Sequence, residues 1–178
     1  MIALRIASLC VIGAGFASPG LAEHRSMPTA AFVSEHEVTL PGAPEVIYDA
    51  ITGDVSGWWD HSFSKDPHKF YLEAKPGGGF YEIFDAAGNG VKHATVIYAD
   101  RGKLLRFEGP LGLSGRAVTL VTTYTFEAVG PDSTRLRVEV HGAGELDASL
   151  EGLVDQVWHH FIIERFKPWV EFGGHRER

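Results

Sequence analysis

The strongest constraint on the fold is an apolar pattern of helical period near the C-terminus. Apolar residues recur three and four positions apart over about five turns, namely Leu150, Leu153, Val154, Val157, Trp158, Phe161, Ile162, Phe166 and Trp169. Asp147 or Ser149 can cap the start of this helix, and Gly173-Gly174 ends it. Because an aromatic-rich stripe of this length must be buried, the pattern predicts one long amphipathic helix packed on a sheet.

The middle of the sequence has a different pattern, with short β-rich runs separated by turn residues. These runs cover residues 70–73, 80–84, 91–98, 104–108, 118–128 and 134–141. Gly and Asn within residues 85–90 supply the positive φ angles that hairpin loops require. Five or more consecutive antiparallel strands are therefore predicted.

The segment before these runs predicts a strand followed by helical structure. Residues 32–40 alternate in part between apolar and polar side chains and are ended by Pro41-Gly42, which indicates a first strand. Pro44 is tolerated in the first turn of a helix that runs to Ile51, and a second short helix or turn carries Trp58 and Trp59. The predicted fold class is α+β.

Several local motifs, taken in order, resemble those of one known superfamily. They are residues 44–52 followed by Trp58-Trp59, Pro76-Gly77-Gly78-Gly79-Phe80-Tyr81-Glu82, Leu104-Leu105-Arg106-Phe107, Thr134-Arg135-Leu136-Arg137-Val138 and residues 153–158. The chain resembles the START-like (SRPBCC) superfamily over residues 33–172. Within it, the chain is similar to the group of the C-terminal domain of the activator of Hsp90 ATPase, which also contains polyketide cyclase-like members.

The resemblance implies a helix-grip fold, in which a curved antiparallel sheet wraps around a long C-terminal helix and two short helices follow the first strand. It predicts a single domain over residues 31–172, with a disordered tail at 173–178. Many members hold a small hydrophobic molecule in a cavity between the sheet and the helix. Members include binders, transfer proteins, cyclases and regulators, so the fold does not identify a reaction.

Aromatic residues are the candidates for the wall of such a cavity. The predicted ligand-binding residues are Trp58, Trp59, Phe80, Phe107, Tyr124, Trp158 and Phe161. The Gly-rich segment 109–116 and the Trp58-Trp59 pair are expected to form its rim. Packing in a solid core is the competing interpretation, because most α+β domains bury similar residues.

Polar groups on the strands support a second hypothesis, a cyclase-like enzyme acting by proton transfer on a phenolic or polyketide-like substrate. Its acid–base group would be Tyr124, His93 or Glu82 if that side chain faces the cavity. Glu82 could face either way, whereas alternation predicts that Arg106 and His141 face solvent. The leading interpretation assigns no catalytic residue and a small hydrophobic ligand.

The sequence gives little support for a metal centre, a serine hydrolase or a nucleic-acid-binding protein. His160 and Glu164 form one pair on the helix, but two ligands are fewer than a catalytic zinc ion takes from protein, so no metal and no cofactor are expected. Ser114 lacks the Gly-x-Ser-x-Gly elbow of hydrolases. The formal charge of −7 without a Lys/Arg cluster argues against a nucleic-acid partner.

Residues 1–22 have the pattern of a secretory signal peptide. Arg5 precedes an apolar run over residues 6–16, and a Ser18-Pro19-Gly20 breaker and small residues follow. Cleavage is expected after Ala22, or alternatively after Ala17, and would remove Cys10, the one cysteine. A periplasmic or secreted location with no membrane span in the mature form is therefore predicted, and the cytoplasmic partner Hsp90 is not expected. A frayed helix of a cytoplasmic protein, or a misassigned start codon, is the alternative.

Overall fold

A computed structural model describes residues 24–176 of the chain, so the predicted signal peptide lies outside the described residues. One antiparallel sheet contains eight strands in the order β1-β8-β7-β6-β5-β4-β3-β2. The strands are β1 Ala30–Pro41, β2 Gly53–Asp54, β3 Lys69–Leu72, β4 Gly79–Ile83, β5 Gly90–Asp100, β6 Leu104–Gly109, β7 Val118–Gly130 and β8 Ser133–Gly144. Strands β2 to β8 form a meander, and β1 pairs with β8 to form the edge of the sheet opposite β2.

The helices are placed where their sequence patterns predict them. Helix α1 spans Pro44–Ile51, and α2 spans Ala148–His159 with Asp147 accepting hydrogen bonds from its first turn. A π-helical segment at His160–Phe166 and helix α3 at Lys167–Glu171 continue α2 to make one long C-terminal helix. The α+β helix-grip fold that the sequence predicts is therefore confirmed.

The segment predicted as a second short helix or turn contains the short strand β2 followed by a turn. Gly53 has a φ of 70°, which turns the chain from α1 into β2. The amides of Trp58 and Trp59 then both donate to the carbonyl of Val55, at 3.1 and 2.9 Å. Pairing of Gly53 with Leu72 of β3 holds this segment extended, which leaves room for only a single turn.

The π-helical segment follows from a proline inside the C-terminal helix. Pro168 has no amide hydrogen, and its ring would clash with the carbonyl four residues earlier in an α-helix. The amide of Lys167 instead bonds the carbonyl of Ile162, five residues earlier. The wider turn puts residues five apart on one face, so Phe161 and Phe166 are both buried.

The core lies between the concave face of the sheet and the helices packed on it. On β8, Leu136, Val138 and Val140 are fully buried, while Arg135 and Arg137 face outward and pair with glutamates. Breaks in strand register in the β4–β5, β5–β6 and β7–β8 pairs accompany the curvature that lets the sheet wrap around the helix.

Two further findings concern the end of the chain and its helices. Gly174–Arg176, assigned from the sequence to a disordered tail, form a 3-10 turn whose His175 ring lies 6.0 Å from that of Trp169. Among residues 24–176, no helix is long and apolar enough to cross a membrane.

Candidate functional site

An apolar cavity of about 210 Å³ lies between the C-terminal helix and the sheet. The helix contributes Leu153, Val154, Val157, Trp158 and Phe161, and the rest of the wall comes from Trp59, His61, His93, Leu111, Gly112, Leu113 and Leu120. A dry cavity of about 150 Å³ is known to hold benzene, so this space suits a molecule of one or two small rings. Among the described residues that line it, His61 and His93 are the only ones with ionisable side chains.

Three of the predicted ligand-binding residues line this cavity: Trp59, Trp158 and Phe161. The Trp59 and Phe161 rings stack with centroids 3.8 Å apart, and the Trp158 ring meets that of Trp59 edge-on at 6.0 Å. The indole N–H of Trp59 donates to the carbonyl of His61 at 2.8 Å. The aromatic wall is therefore rigid, because each ring is held by a neighbour or a hydrogen bond.

The other four predicted residues lie behind that wall. Trp58, Phe80, Phe107 and Tyr124 are almost completely buried and are absent from the lining of the cavity. Phe80 packs edge-on against Trp59 at 4.9 Å, and Tyr124 packs against Trp158 at 6.1 Å. Burial raises the pKa of Tyr124, so its phenol stays neutral. These residues support the cavity wall.

Several lining residues are not among the predicted ligand-binding residues. Leu153, Val154 and Val157 belong to the helical stripe, but its period cannot separate the part that faces the cavity from the part that packs on the sheet. Leu153 is half exposed, which places it at the rim. The sequence around Leu120 on β7 does not distinguish this residue from any other buried strand residue.

The segment predicted as the rim supplies Leu111, Gly112 and Leu113 to the lining. Leu111 is 6 % exposed and has a φ of 49°, a left-handed conformation that costs a leucine about 1 kcal/mol or more. The conformation is retained where burial and hydrogen bonding outweigh its cost. Here the Leu111 carbonyl accepts from Nδ1 of His93 at 3.3 Å.

Glu82 and His93 form a buried pair at the inner wall. Both are at least 95 % buried, and Nε2 of His93 lies 3.1 Å from Oε2 of Glu82. The amides of Phe63 and Ser64 donate to the same carboxylate at 3.0 and 2.7 Å. Nε2 of His93 therefore faces the Glu82 carboxylate and Nδ1 faces the Leu111 carbonyl, with His93 at the cavity surface and Glu82 behind it.

A second histidine–carboxylate cluster lies at the mouth of the cavity and consists of Asp60, His61 and His160. Nδ1 of His61 lies 2.9 Å from Oδ1 of Asp60, and Nε2 of His160 lies 3.0 Å from both Asp60 oxygens. Burial raises the pKa of Asp60, but hydrogen bonds from His61 and His160 outweigh it and leave that pKa lowered. The hydrogen bond to Glu164, aided by Asp60, raises the pKa of His160 against a smaller opposing effect of burial.

Two polar strand residues lie away from the cavity, as alternation predicts. Arg106 lies between the buried Leu105 and Phe107 and donates from Nε to the Thr123 hydroxyl at 2.8 Å. His141 is exposed and contacts Glu139 at 2.9 Å. Of the acid–base candidates, only His93 therefore reaches the cavity, with Glu82 as its partner.

Comparison with known proteins gives similarity of structure only. No family model matches the chain, and no curated protein sequence matches it. MLL2253 from Mesorhizobium loti superposes with a TM-score of 0.58 at 18 % identity, over 80 % of this chain and 98 % of its own. The Aha1 dimer from Colwellia psychrerythraea gives 0.53 at 19 % identity, over 80 % and 98 %. DynU16, a protein of the dynemicin biosynthetic locus, gives 0.51 at 16 % identity, over 79 % and 48 %. These structures and the sheet topology place the chain in the helix-grip fold.

Proposed function

We propose that this protein is an exported START-like domain that binds a small hydrophobic or amphipathic molecule beneath its C-terminal helix. The observation that carries the proposal is the apolar cavity of about 210 Å³ between that helix and the sheet. Each 100 Å² of apolar ligand surface removed from water there contributes about 2.5 kcal/mol to binding. The aromatic wall is preorganised by its own stacking, so little side-chain entropy is lost on binding.

The size and lining of the cavity support a proposal for the class of ligand. A molecule of one or two rings fits, whereas a sterol or a phospholipid chain would need the Leu111–Leu113 segment to move outward. His93 is the polar group at the inner wall, and its long 3.3 Å hydrogen bond to Leu111 can be exchanged for one to a ligand oxygen. The favoured ligand is therefore a small aromatic molecule with one hydrogen-bond acceptor.

Export is part of the proposal and rests on the sequence of residues 1–22. Cell fractionation with mass measurement of the recovered protein tests it. We expect the protein outside the cytoplasm and beginning at Glu23 or, with the alternative cleavage, at Ser18. Full-length protein in the cytoplasm would contradict export and would reopen the question of a cytoplasmic partner such as Hsp90.

Ligand binding is tested on residues 23–178 purified without denaturant. Native mass spectrometry and solvent extraction will detect a bound molecule, and thermal melting with 1-naphthol as the probe will detect binding directly. Val157→Trp fills the cavity and should abolish the rise in melting temperature caused by 1-naphthol. Val46→Trp makes the same change at an exposed position of α1 and should retain it.

Two results would contradict ligand binding in the cavity. One is wild-type protein with no bound molecule and no response to 1-naphthol. The other is an unchanged response in Val157→Trp, which would place the probe elsewhere on the protein.

The buried Glu82–His93 pair supports a second candidate function, proton transfer on a bound carbonyl compound. A carboxylate that orients a histidine at a cavity wall is an arrangement suited to acid–base catalysis. The test is deuterium exchange at the carbon next to the carbonyl of 2-tetralone, followed by NMR. We expect exchange catalysed by the wild type and lost in His93→Gln. An equal rate in a folded His93→Gln protein would leave binding as the function.

A further inference from the structure

The cluster at the cavity mouth brings together three metal-ligating side chains from two distant parts of the chain. Asp60 and His61 follow the Trp58-Trp59 turn, and His160 begins the π-helical segment. One ligating atom from each residue lies within 4.8 Å of the others. Asp60 and His160 are 100 residues apart in sequence, so this convergence is a product of the fold.

The geometry of the cluster is close to that of a coordination site. Both imidazole nitrogens point at the same atom, Oδ1 of Asp60, at 2.9 Å from His61 and 3.0 Å from His160. Ligands held about 2.0–2.2 Å from a tetrahedral ion lie roughly 3.3 Å apart. Small rotations of the side chains therefore suffice to place one ion among the three atoms.

Glu164 and Arg165 contact the cluster from outside and orient its side chains, as residues behind metal ligands do. Nδ1 of His160 lies 2.9 Å from Oε2 of Glu164, which leaves Nε2 directed at the site. A carboxylate behind a ligating histidine fixes its tautomer and increases its basicity. Nε of Arg165 lies 3.1 Å from Oδ2 of Asp60, so Oδ1, which both imidazole nitrogens approach, is the oxygen directed at the centre of the cluster.

Aromatic packing holds both histidines in place. The His61 ring lies edge-on to Phe161 with centroids 4.9 Å apart, and its carbonyl accepts the indole N–H of Trp59. The His160 ring lies 5.2 Å from that of His61. Because π-helical turns are frequent at functional sites, the position of His160 at the start of one is consistent with a binding role.

We propose that Asp60, His61 and His160 bind a divalent transition-metal ion, with Zn²⁺ as the reference ion. Two imidazoles and one carboxylate suit Zn²⁺, Co²⁺, Ni²⁺ and Fe²⁺, and they disfavour Mg²⁺ and Ca²⁺, which prefer oxygen ligands. Three protein ligands leave a coordination position for water or another small ligand.

The location of the cluster beside the cavity gives the open coordination position a specific use. His61 lines the apolar cavity, so the ion lies at its mouth. An oxygen atom of a molecule in the cavity can then complete the coordination, which favours phenols, carboxylates and β-diketones as ligands. Coordination of the ion by a cavity-bound molecule rests on the proposed function, whereas the metal site itself does not.

The test is calorimetric titration of untagged, chelator-treated residues 23–178 with Zn²⁺, paired with the visible spectrum of the Co²⁺ form. We expect one equivalent to bind. His61→Gln and His160→Gln should weaken binding at least 10-fold, and Glu164→Gln, which alters only the second sphere, about 10-fold. His141→Gln changes an exposed histidine that also contacts a glutamate and should bind as the wild type does.

The controls separate the metal site from the ligand cavity. Val157→Trp should keep Zn²⁺ affinity while losing 1-naphthol, so failure of one proposal is distinguishable from failure of the other. No stoichiometric Zn²⁺ binding, or equal affinity in a folded His160→Gln protein, would overturn the metal site and leave the cluster as a surface ion-pair network. Melting curves of each variant establish that it is folded.

Discussion

The cavity has two histidine–carboxylate clusters that use the same chemical groups in opposite environments. Glu82 and His93 are almost fully buried at the inner wall, while the side chains of Asp60 and His160 at the mouth are 35 % and 29 % exposed. In the buried pair, both carboxylate oxygens and both ring nitrogens have a partner within the protein. The cluster at the mouth is held by side-chain partners that solvent and ions can reach. Burial therefore keeps bulk solvent from the first pair and leaves the second open to solvent and ions.

Removing one member of the buried pair is expected to have the largest effect. His93→Ala leaves the buried Glu82 side chain without its histidine partner, which should lower the free energy of unfolding by about 3–5 kcal/mol. Urea denaturation measures this loss, and His141→Ala serves as the matched control because it removes an exposed histidine–glutamate contact. If His93→Ala lowered the free energy of unfolding by less than about 1 kcal/mol, the Glu82 carboxyl group would not depend on His93 for its burial.

Breaking the cluster at the mouth should cost much less. Asp60→Asn removes the common partner of His61, His160 and Arg165, yet exposed ion pairs contribute only about 0.2–1 kcal/mol. The loss should shrink further in high salt because partly exposed charges are screened. Urea denaturation in chelator at low and high salt measures both effects. A loss as large as that of His93→Ala, independent of salt, would remove the distinction between the two clusters.

A third histidine–carboxylate contact, between His36 and Asp155, is intermediate in burial and should show a pH effect without a large change in stability. Burial lowers the pKa of His36, Asp155 opposes this, and His159 adds to it. The unfolded chain therefore takes up the proton first, near pH 6.5. The contribution of neutral His36 to stability is complete above that pH and is lost as the pH falls below it.

The difference in melting temperature between wild type and His36→Gln measures this contribution. The wild type should lose its advantage as the pH falls below about 6.5, the pKa of histidine in the unfolded chain. The contacts of His36 are Nε2 to the Ser34 hydroxyl at 3.1 Å and to Oδ1 of Asp155 at 3.3 Å, with the His159 ring at 6.0 Å. An advantage that grows as the pH falls would show that the charged form is favoured in the folded protein and that Asp155 outweighs burial.

Much of the fold could be predicted from the sequence, but the site could be predicted only in part. The alternation in β8 and the stripe of the C-terminal helix are local patterns, and the structure confirms both elements. The structure places the predicted aromatic residues at two depths from the cavity. Trp59, Trp158 and Phe161 face the cavity, whereas Phe80 and Tyr124 lie one layer behind them. All of these residues are apolar and suited to burial, so no sequence pattern distinguishes the two layers.

Glu82 and His61 show why the polar part of the site was harder to predict. A glutamate in a strand is usually exposed, and only the amides of Phe63 and Ser64 with His93 make its burial favourable. The sequence pattern around His160 provided one nearby carboxylate, Glu164, too few ligands for a metal. The missing ligands come from residues 60 and 61, which no local spacing connects to the helix.

The sequence by itself determined the order of the elements and the faces that they bury, because helical and strand periods are properties of the local backbone. It also defined the apolar stripe of the C-terminal helix and the expectation of export. The tertiary structure decided which part of the stripe faces a cavity, that Glu82 is buried against His93, and that His61 meets His160. These outcomes depend on sheet curvature and on contacts between segments that are 11 residues apart for Glu82 and His93 and 100 residues apart for Asp60 and His160, which only the folded chain brings together.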